Sequence, residues 1–336
     1  MVRRERAALL FASRLEVVLN AKDLPVVVTG AGGFIGRALC ARLGARGHPV
    51  RRLVRVSAGR SEGETVLDLE RAPSDALVRM LDGAFAVVHL AARVHRMDET
   101  GARAEAAYKA ANVEVTERLA LAAVTAGVRR FVFASTVKVN GEATLPGRPF
   151  RVGDAPSPHD AYARSKLAAE RTLAQLASGT SMLATSLRLP LVYGAGARGN
   201  FRRLVDAVAA RRLLPLGAID NRRSVLGLDN LLDAVEAILA AESAVIGAYF
   251  VADAQSVSTP ALVRAIAQAL RVAPRLWPVP VPVLKLGGAL AGRRAAIARL
   301  TGSLEVDATA LARATAWRAR AFAIDATMVT AAPAYN

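Results

Sequence analysis

The stretch DAYARSK at residues 160–166 sets Tyr162 four residues ahead of Lys166. The run AYARSKLAAERTLAQLA (161–177) has helical apolar spacing, and four residues is about one turn, so both side chains share a face. A phenol with a pKa of about 10 is a poor base at neutral pH. A neighbouring ammonium stabilises the phenolate, and a lowering of about three units takes about 4 kcal/mol of differential interaction. Lysine suits that task because its compact charge carries three rotatable donors, whereas arginine's planar fork spreads the charge. Only five of the 45 basic residues are lysines, so lysine at 166 is a choice that an arginine-rich chain makes rarely. Upstream, FVFASTVKVNGE (131–142) ends a β-branched and aromatic run in two hydroxyls, Ser135 and Thr136. Either could hold the oxygen of an alcohol or ketone that exchanges its proton with Tyr162.

These groups need a scaffold, and the chain supplies an alternation of short apolar runs and longer helical ones. Strands are expected at 25–30, 49–55, 84–92, 129–136 and 185–194, with helices at 34–47, 112–127 and 161–177. That order predicts an α/β fold, a Rossmann-type doubly wound parallel sheet with helices on both faces. Gly30, Gly33 and Gly36 fall between the first strand and the first helix. The first glycine permits a tight turn, the second a close approach to pyrophosphate, and the third close helix–strand packing, all at a helix N-terminus suited to anions. A dinucleotide on this turn would accept or donate the hydride that accompanies the Tyr162 proton. Beyond about residue 195 the regularity loosens, which predicts a smaller mixed C-terminal substrate lobe. The expected layout is an extension at 1–23, a cofactor domain at 24–194 and a substrate lobe at 195–330, with segments free to interleave.

Composition narrows the alternatives. The formal charge is +17, yet the arginines are scattered and aromatics are 5%, which argues against nucleic acid as the main partner and for a small anionic substrate. Cys40, the single cysteine, excludes an internal disulfide and fits a reducing compartment, so the expected location is cytoplasmic. His48, His89, His95 and His159 have no metal-ligand spacing, so no metal is expected. The apolar stretch 276–300 is interrupted by prolines, Lys285, Gly287–Gly288 and Arg293–Arg294, too short for a membrane span and expected as a buried helix.

The turn TGAGGFIG has the spacing G-x-x-G-x-x-G and resembles the extended short-chain dehydrogenase/reductase superfamily, a resemblance that runs over about residues 24–330. It implies cofactor contacts from Gly30, Gly33, Phe34, Ile35 and Gly36, from Asp68 and Leu69 in VLDLE, from Leu90, Ala91 and Ala92 in HLAA, and from Tyr162 and Lys166. It also implies that Asn112 is the active-site asparagine, that Thr136 is the catalytic hydroxyl, and that Ser135 supports it. Asn140 stands where the pattern usually has tyrosine, a swap that the sequence does not explain. The second strand ends in Arg55 where an NAD-preferring member carries an acid. A guanidinium can pair with a 2′-phosphate, so the expected cofactor is NAD(P), with NADP(H) mildly favoured.

In the second half, GARGNFRRL (196–204) and NRRSVLGLDNLLDA (221–234) resemble segments of nucleotide-sugar members, which implies that Asn200 and Arg223 bind the substrate, with Arg222 as the alternative. ASTVKVNGE, LPLVYGAGARGNF and LTGSLEVD resemble a UDP-glucose 4-epimerase-like branch of the NAD-dependent epimerase/dehydratase family found in bacterial polysaccharide pathways. The implied reaction is oxidoreduction at C4 of a UDP-sugar. Arg55 leans the reading slightly to a 4-ketoreductase over a 4-epimerase. A reductase of hydrophobic alcohols and a non-catalytic cofactor-sensing or assembly protein are the alternatives. Relatives that pair the helices at 112–127 and 161–177 into a four-helix interface imply a homodimer.

Overall fold

The computed structural model describes residues 23–56, 63–94 and 101–332; the expectations for residues 1–22 and for His95 lie outside them. Val26–Thr29 forms β1, and all four of its side chains are shut off from solvent. A strand covered on both faces belongs inside a parallel sheet. Six strands join it: β2 (Val50–Val54), β3 (Glu64–Val66), β4 (Ala86–His89), β5 (Arg130–Thr136), β6 (Leu183–Leu189) and β9 (Gly247–Phe250). Their order is β3-β2-β1-β4-β5-β6-β9, and every pairing is parallel. The direction of winding reverses between β1 and β4, which opens a crevice at the carboxyl ends of these strands.

Alternation along β1 divides the core in two. Val26 and Val28 pack with Leu39, Cys40 and Leu43 of α1 (Phe34–Ala45) and with Leu231, Val235 and Ile238 of α7 (Leu228–Ala240). Val27 faces the other layer, made by α2 (Ser74–Leu81), α4 (Val115–Thr125) and α5 (Ala161–Ala177), through Leu77, Leu119, Ala123, Ala169 and Leu173. Burial pushes the Cys40 thiol up to about 11.

Local sequence explains four departures from expectation. The strand expected at 185–194 is two, because Pro190 cannot donate to a ladder. β6 ends at Leu189, and β7 (Leu191–Tyr193) leaves to pair with β8 (Val225–Gly227) in a separate two-stranded sheet. The helix expected at 112 begins far upstream as α3 (Gly101–Tyr108) and passes through a π-helical turn, Lys109–Glu114, into α4, so Asn112 sits at a widened turn rather than a helix start. β9 arises beyond residue 195, yet it completes the nucleotide-fold sheet against β6. The stretch 276–300, expected as a buried helix, is a hairpin of α9 (Val281–Leu290) and α10 (Arg294–Thr301) with one face open to solvent. The remaining helices are α6 (Gly199–Ala209), α8 (Thr259–Ala269), α11 (Thr309–Ala314) and α12 (Ala326–Thr330).

Candidate active site

The glycine turn leaves almost no free space. Gly30 has a left-handed φ of 67°, and an added Cβ would lie 2.8 Å from the Ala91 nitrogen of the loop after β4. A Cβ on Gly36 would lie 2.2 Å from the Gly30 carbonyl oxygen, so α1 rests directly on the turn. Gly33 is the N-cap of α1, with no side chain capping it and no acid in the first turn, which leaves main-chain N–H groups for an anion. Phe34 and Ile35 open that helix, half-buried. The chain's own atoms therefore form a cradle that fits a dinucleotide pyrophosphate.

Around the turn, Thr29 Oγ1 accepts from Ala91 N at 3.2 Å, which fixes the loop of Leu90, Ala91 and Ala92 beside β1. Asp68 Oδ1 accepts from Glu70 N at 3.0 Å, and Leu69 packs on the second core layer while its carbonyl accepts from Arg118. Arg55 lies exposed just past the end of β2.

Thr136 is the last residue of β5, and its Oγ1 accepts from Lys138 N to cap the short turn Val137–Val139. Asp160 caps α5, accepting from Ala163 N at 2.7 Å, and its other oxygen accepts from Lys138 Nζ at 2.7 Å. That capped start sets Tyr162 in the first turn of α5 and Lys166 one turn later. Lys166 is buried, its Nζ 3.9 Å from the centre of the Phe133 ring on β5. Tyr162 meets Tyr108 edge-on at 6.0 Å. Asn112 reaches the same helix, donating from Nδ2 to Ser165 Oγ at 2.9 Å, and its Oδ1 accepts from Arg93 N at 2.8 Å. The end of β5, the start of α5 and the π-helical turn thus converge.

The electrostatics differ from the expectation on one point. Burial first, then Asp160 and Tyr108, hold the Tyr162 phenol above its ordinary value, opposite in direction to the lowering expected from Lys166. Burial brings Lys166 down to about 7, with Glu170 opposing. Burial therefore works against the ammonium form, and the Glu170 carboxylate one turn away works for it.

Three buried groups beside the trio were not foreseen. Glu170, one turn beyond Lys166, accepts from Ser135 Oγ and from Arg188 Nη2, the latter at 2.7 Å. Arg188 Nη1 donates to Asn140 Oδ1 at 3.0 Å, and Asn140 Nδ2 donates to the Asp154 carbonyl at 3.3 Å. The amide of Asn140 thus accepts from the guanidinium through one atom and donates to the loop through the other. An arginine inside the apolar strand LRLPLVY was the available signal. His89 is the third group, with Nδ1 2.7 Å from Thr29 Oγ1 and Nε2 3.2 Å from Thr116 Oγ1. Thr116 spends its own proton on the Asn112 carbonyl, so His89 Nε2–H donates and Nδ1 accepts. Burial brings His89 down to about 3 and keeps it neutral.

In the second half, Asn200 lies exposed in the first turn of α6. Arg223 is largely enclosed, and its Nη1 donates to the carbonyls of Arg299 and Gly302 at 2.8 and 2.9 Å. That nitrogen therefore ties the lead-in of β8 to the end of α10. Arg222 is the more exposed of the two, with Nε 3.0 Å from Glu305 Oε1.

A doubly wound parallel sheet, a glycine cradle at its first turn and a Tyr/Lys helix against the end of β5 define an extended short-chain dehydrogenase/reductase. The chain belongs to the NAD dependent epimerase/dehydratase family, whose model matches residues 26–252. It is 35% identical over 295 residues to a UDP-glucose 4-epimerase from Vibrio cholerae, covering 87% of this chain and 90% of that one. A 2-alkyl-3-oxoalkanoate reductase from Stenotrophomonas maltophilia is 32% identical over 216 residues, 62% of each chain. Among solved structures, MoeE5 in complex with UDP-glucuronic acid and NAD superposes with a TM-score of 0.71 at 26% identity, covering 89% of this chain and 94% of that one.

Proposed function

We propose that the protein moves a hydride to or from C4 of a UDP-linked hexose or N-acetylhexosamine, as a 4-epimerase or 4-ketoreductase that makes sugars for a bacterial surface polysaccharide in the cytoplasm. The observation that carries the reading is Tyr162 and the buried Lys166 on one helix beside Thr136, in a chain 35% identical to a UDP-glucose 4-epimerase. NAD(H), when bound, supplies a hydride acceptor and donor. Thr136 orients the C4 oxygen. On reduction Tyr162, which burial favours as the neutral phenol, gives its proton to the C4 oxygen and Lys166 stabilises the phenolate left behind; on oxidation that phenolate takes the proton of the C4 hydroxyl. Asn200 and an arginine, Arg223 or Arg222, would hold the diphosphate.

The relative at 35% favours the 4-epimerase form, and NAD bound to MoeE5 favours NAD(H). Arg55 at the end of β2 supports the second reading, a 4-ketoreductase that takes NADP(H). The exposed Leu121 on α4 supports a homodimer built on α4 and α5. The test supplies UDP-glucose or UDP-N-acetylglucosamine without added cofactor and, separately, a UDP-4-keto-6-deoxy-N-acetylhexosamine with NADPH or NADH. C4 epimers in the first arm mark the epimerase, and reduction in the second marks the ketoreductase. Turnover in neither arm, together with no rise in Tm from UDP, abandons the nucleotide-sugar assignment.

A further inference from the structure

Residues 271–303 carry six cations, Arg271, Arg275, Lys285, Arg293, Arg294 and Arg299, and no carboxylate side chain. Within this stretch α9 rests on the core of α6 and α8 through Val281 and Leu284 only. Gly292, at a left-handed φ of 65°, turns the chain back, and Gly288 lets Ile297 of α10 come so close that an added Cβ would lie 2.4 Å from it. The hairpin is thus tightly closed on itself. Its outer face holds Val283, Leu286 and Leu290, at positions i, i+3 and i+7 of one helix, and they are 56%, 64% and 82% exposed. Trp277, just ahead of α9, is 57% exposed. Lys285, Arg293 and Arg294 stand in solvent around this face. Glu142 lies 3.8 Å from Arg299 of the hairpin and is shared with Lys138.

We propose that the α9–α10 hairpin is a docking surface for the anionic headgroup layer of a lipid bilayer. No described helix is long and apolar enough to cross a membrane, and α9, about 15 Å long, is suited to lie in the interface instead. Leucine and valine on the lipid side, a tryptophan at the boundary and cations at the rim are the groups such an interface takes up. Charge selects this occupant over a second copy of the chain. A two-fold contact through the hairpin would set cations against cations with no carboxylate in either stretch to offset them, whereas anionic headgroups neutralise both the rim and part of the overall charge of +17. The inference stands apart from the reaction at the active site, since none of these residues belongs to it.

The experiment is flotation of the full chain with vesicles of phosphatidylglycerol and phosphatidylethanolamine, and with phosphatidylcholine alone. Trp277 provides a second readout, because the other tryptophan, Trp317, is buried beneath α7. The protein is expected to float with the anionic vesicles, to shift its fluorescence to shorter wavelength there, and to be released as salt rises from about 0.1 M to about 1 M. Leu286→Gln with Leu290→Gln should weaken binding at least about tenfold, and Lys285→Glu with Arg293→Glu should remove the preference for anionic lipid. Both variants should keep the wild-type Tm and turnover. Equal binding to phosphatidylcholine, undiminished flotation of either variant, or a fall in oligomer mass caused by the leucine substitutions would overturn the proposal, the last by showing that a second copy covers this face.

Discussion

Replacing Gly36 by alanine tests the cofactor cradle where the geometry is tightest. The new Cβ would lie 2.2 Å from the Gly30 oxygen, 2.8 Å from Ala31 Cα and 2.9 Å from the Gly30 carbonyl carbon. All three are main-chain atoms, so no side chain can swing aside. To reach an ordinary contact of about 3.4 Å, α1 must part from the turn by about 1.2 Å, which overpacking data put at about 1–3 kcal/mol of stability. The same displacement moves the N–H groups of the cradle, and misplacements of about 1 Å commonly cost about 10²-fold. Gly44 on the same helix is the internal control: a Cβ there meets nothing within 4 Å, and Gly44→Ala should stabilise the helix by about 0.5 kcal/mol with cofactor binding unchanged. Titration of NADH fluorescence, beside a urea denaturation of each variant, measures both effects. If Gly36→Ala folds and binds NADH within about threefold of wild type, the cradle has been misread.

Further consequences concern the buried polar groups. Lys166→Arg keeps the charge but not the point-like donor, and steady-state assays should find most of the turnover lost while the fold persists, whereas a merely assembly-serving protein would be indifferent to the change. Arg188→Met strands Glu170 in the core and should cost about 3–5 kcal/mol by urea denaturation, the usual penalty for breaking a buried pair. His89 gives a pH signature. Its native value of about 3 lies below the ordinary 6.5, so between those values the unfolded chain takes up a proton that the native one refuses. Its contribution is complete above pH 6.5 and is lost towards pH 3 at up to about 1.4 kcal/mol per unit. The urea midpoint of His89→Asn should therefore fall less steeply with acid than that of wild type.

Much of this site was legible because a few motifs carry strict geometry. The spacing of Gly30, Gly33 and Gly36 admits only a tight turn under a helix, and the helix expected at 161–177 has those bounds in the structure. What escaped was set by tertiary neighbours. Nothing in the local pattern announces that Arg188 meets Glu170 across 18 residues, or that β9 returns to pair with β6. The exposed face of α9 escaped for a related reason: an apolar segment reads as buried, and only the packing of Val281 and Leu284 reveals which side is covered. The pi-helical turn at Asn112 was hidden because side-chain spacing barely distinguishes it from an ordinary helix.

The most direct test of the central claim follows deuterium at hexose C4 by NMR, starting from UDP-glucose or UDP-N-acetylglucosamine labelled there and, in parallel, from the 4-keto sugar with nicotinamide-deuterated NADPH or NADH. Deuterium at C4 of an epimerised or reduced UDP-sugar, absent with Tyr162→Phe, is the predicted result. A product altered at any other carbon, or the same product from Tyr162→Phe, would contradict the assignment of a C4 hydride transfer to this site.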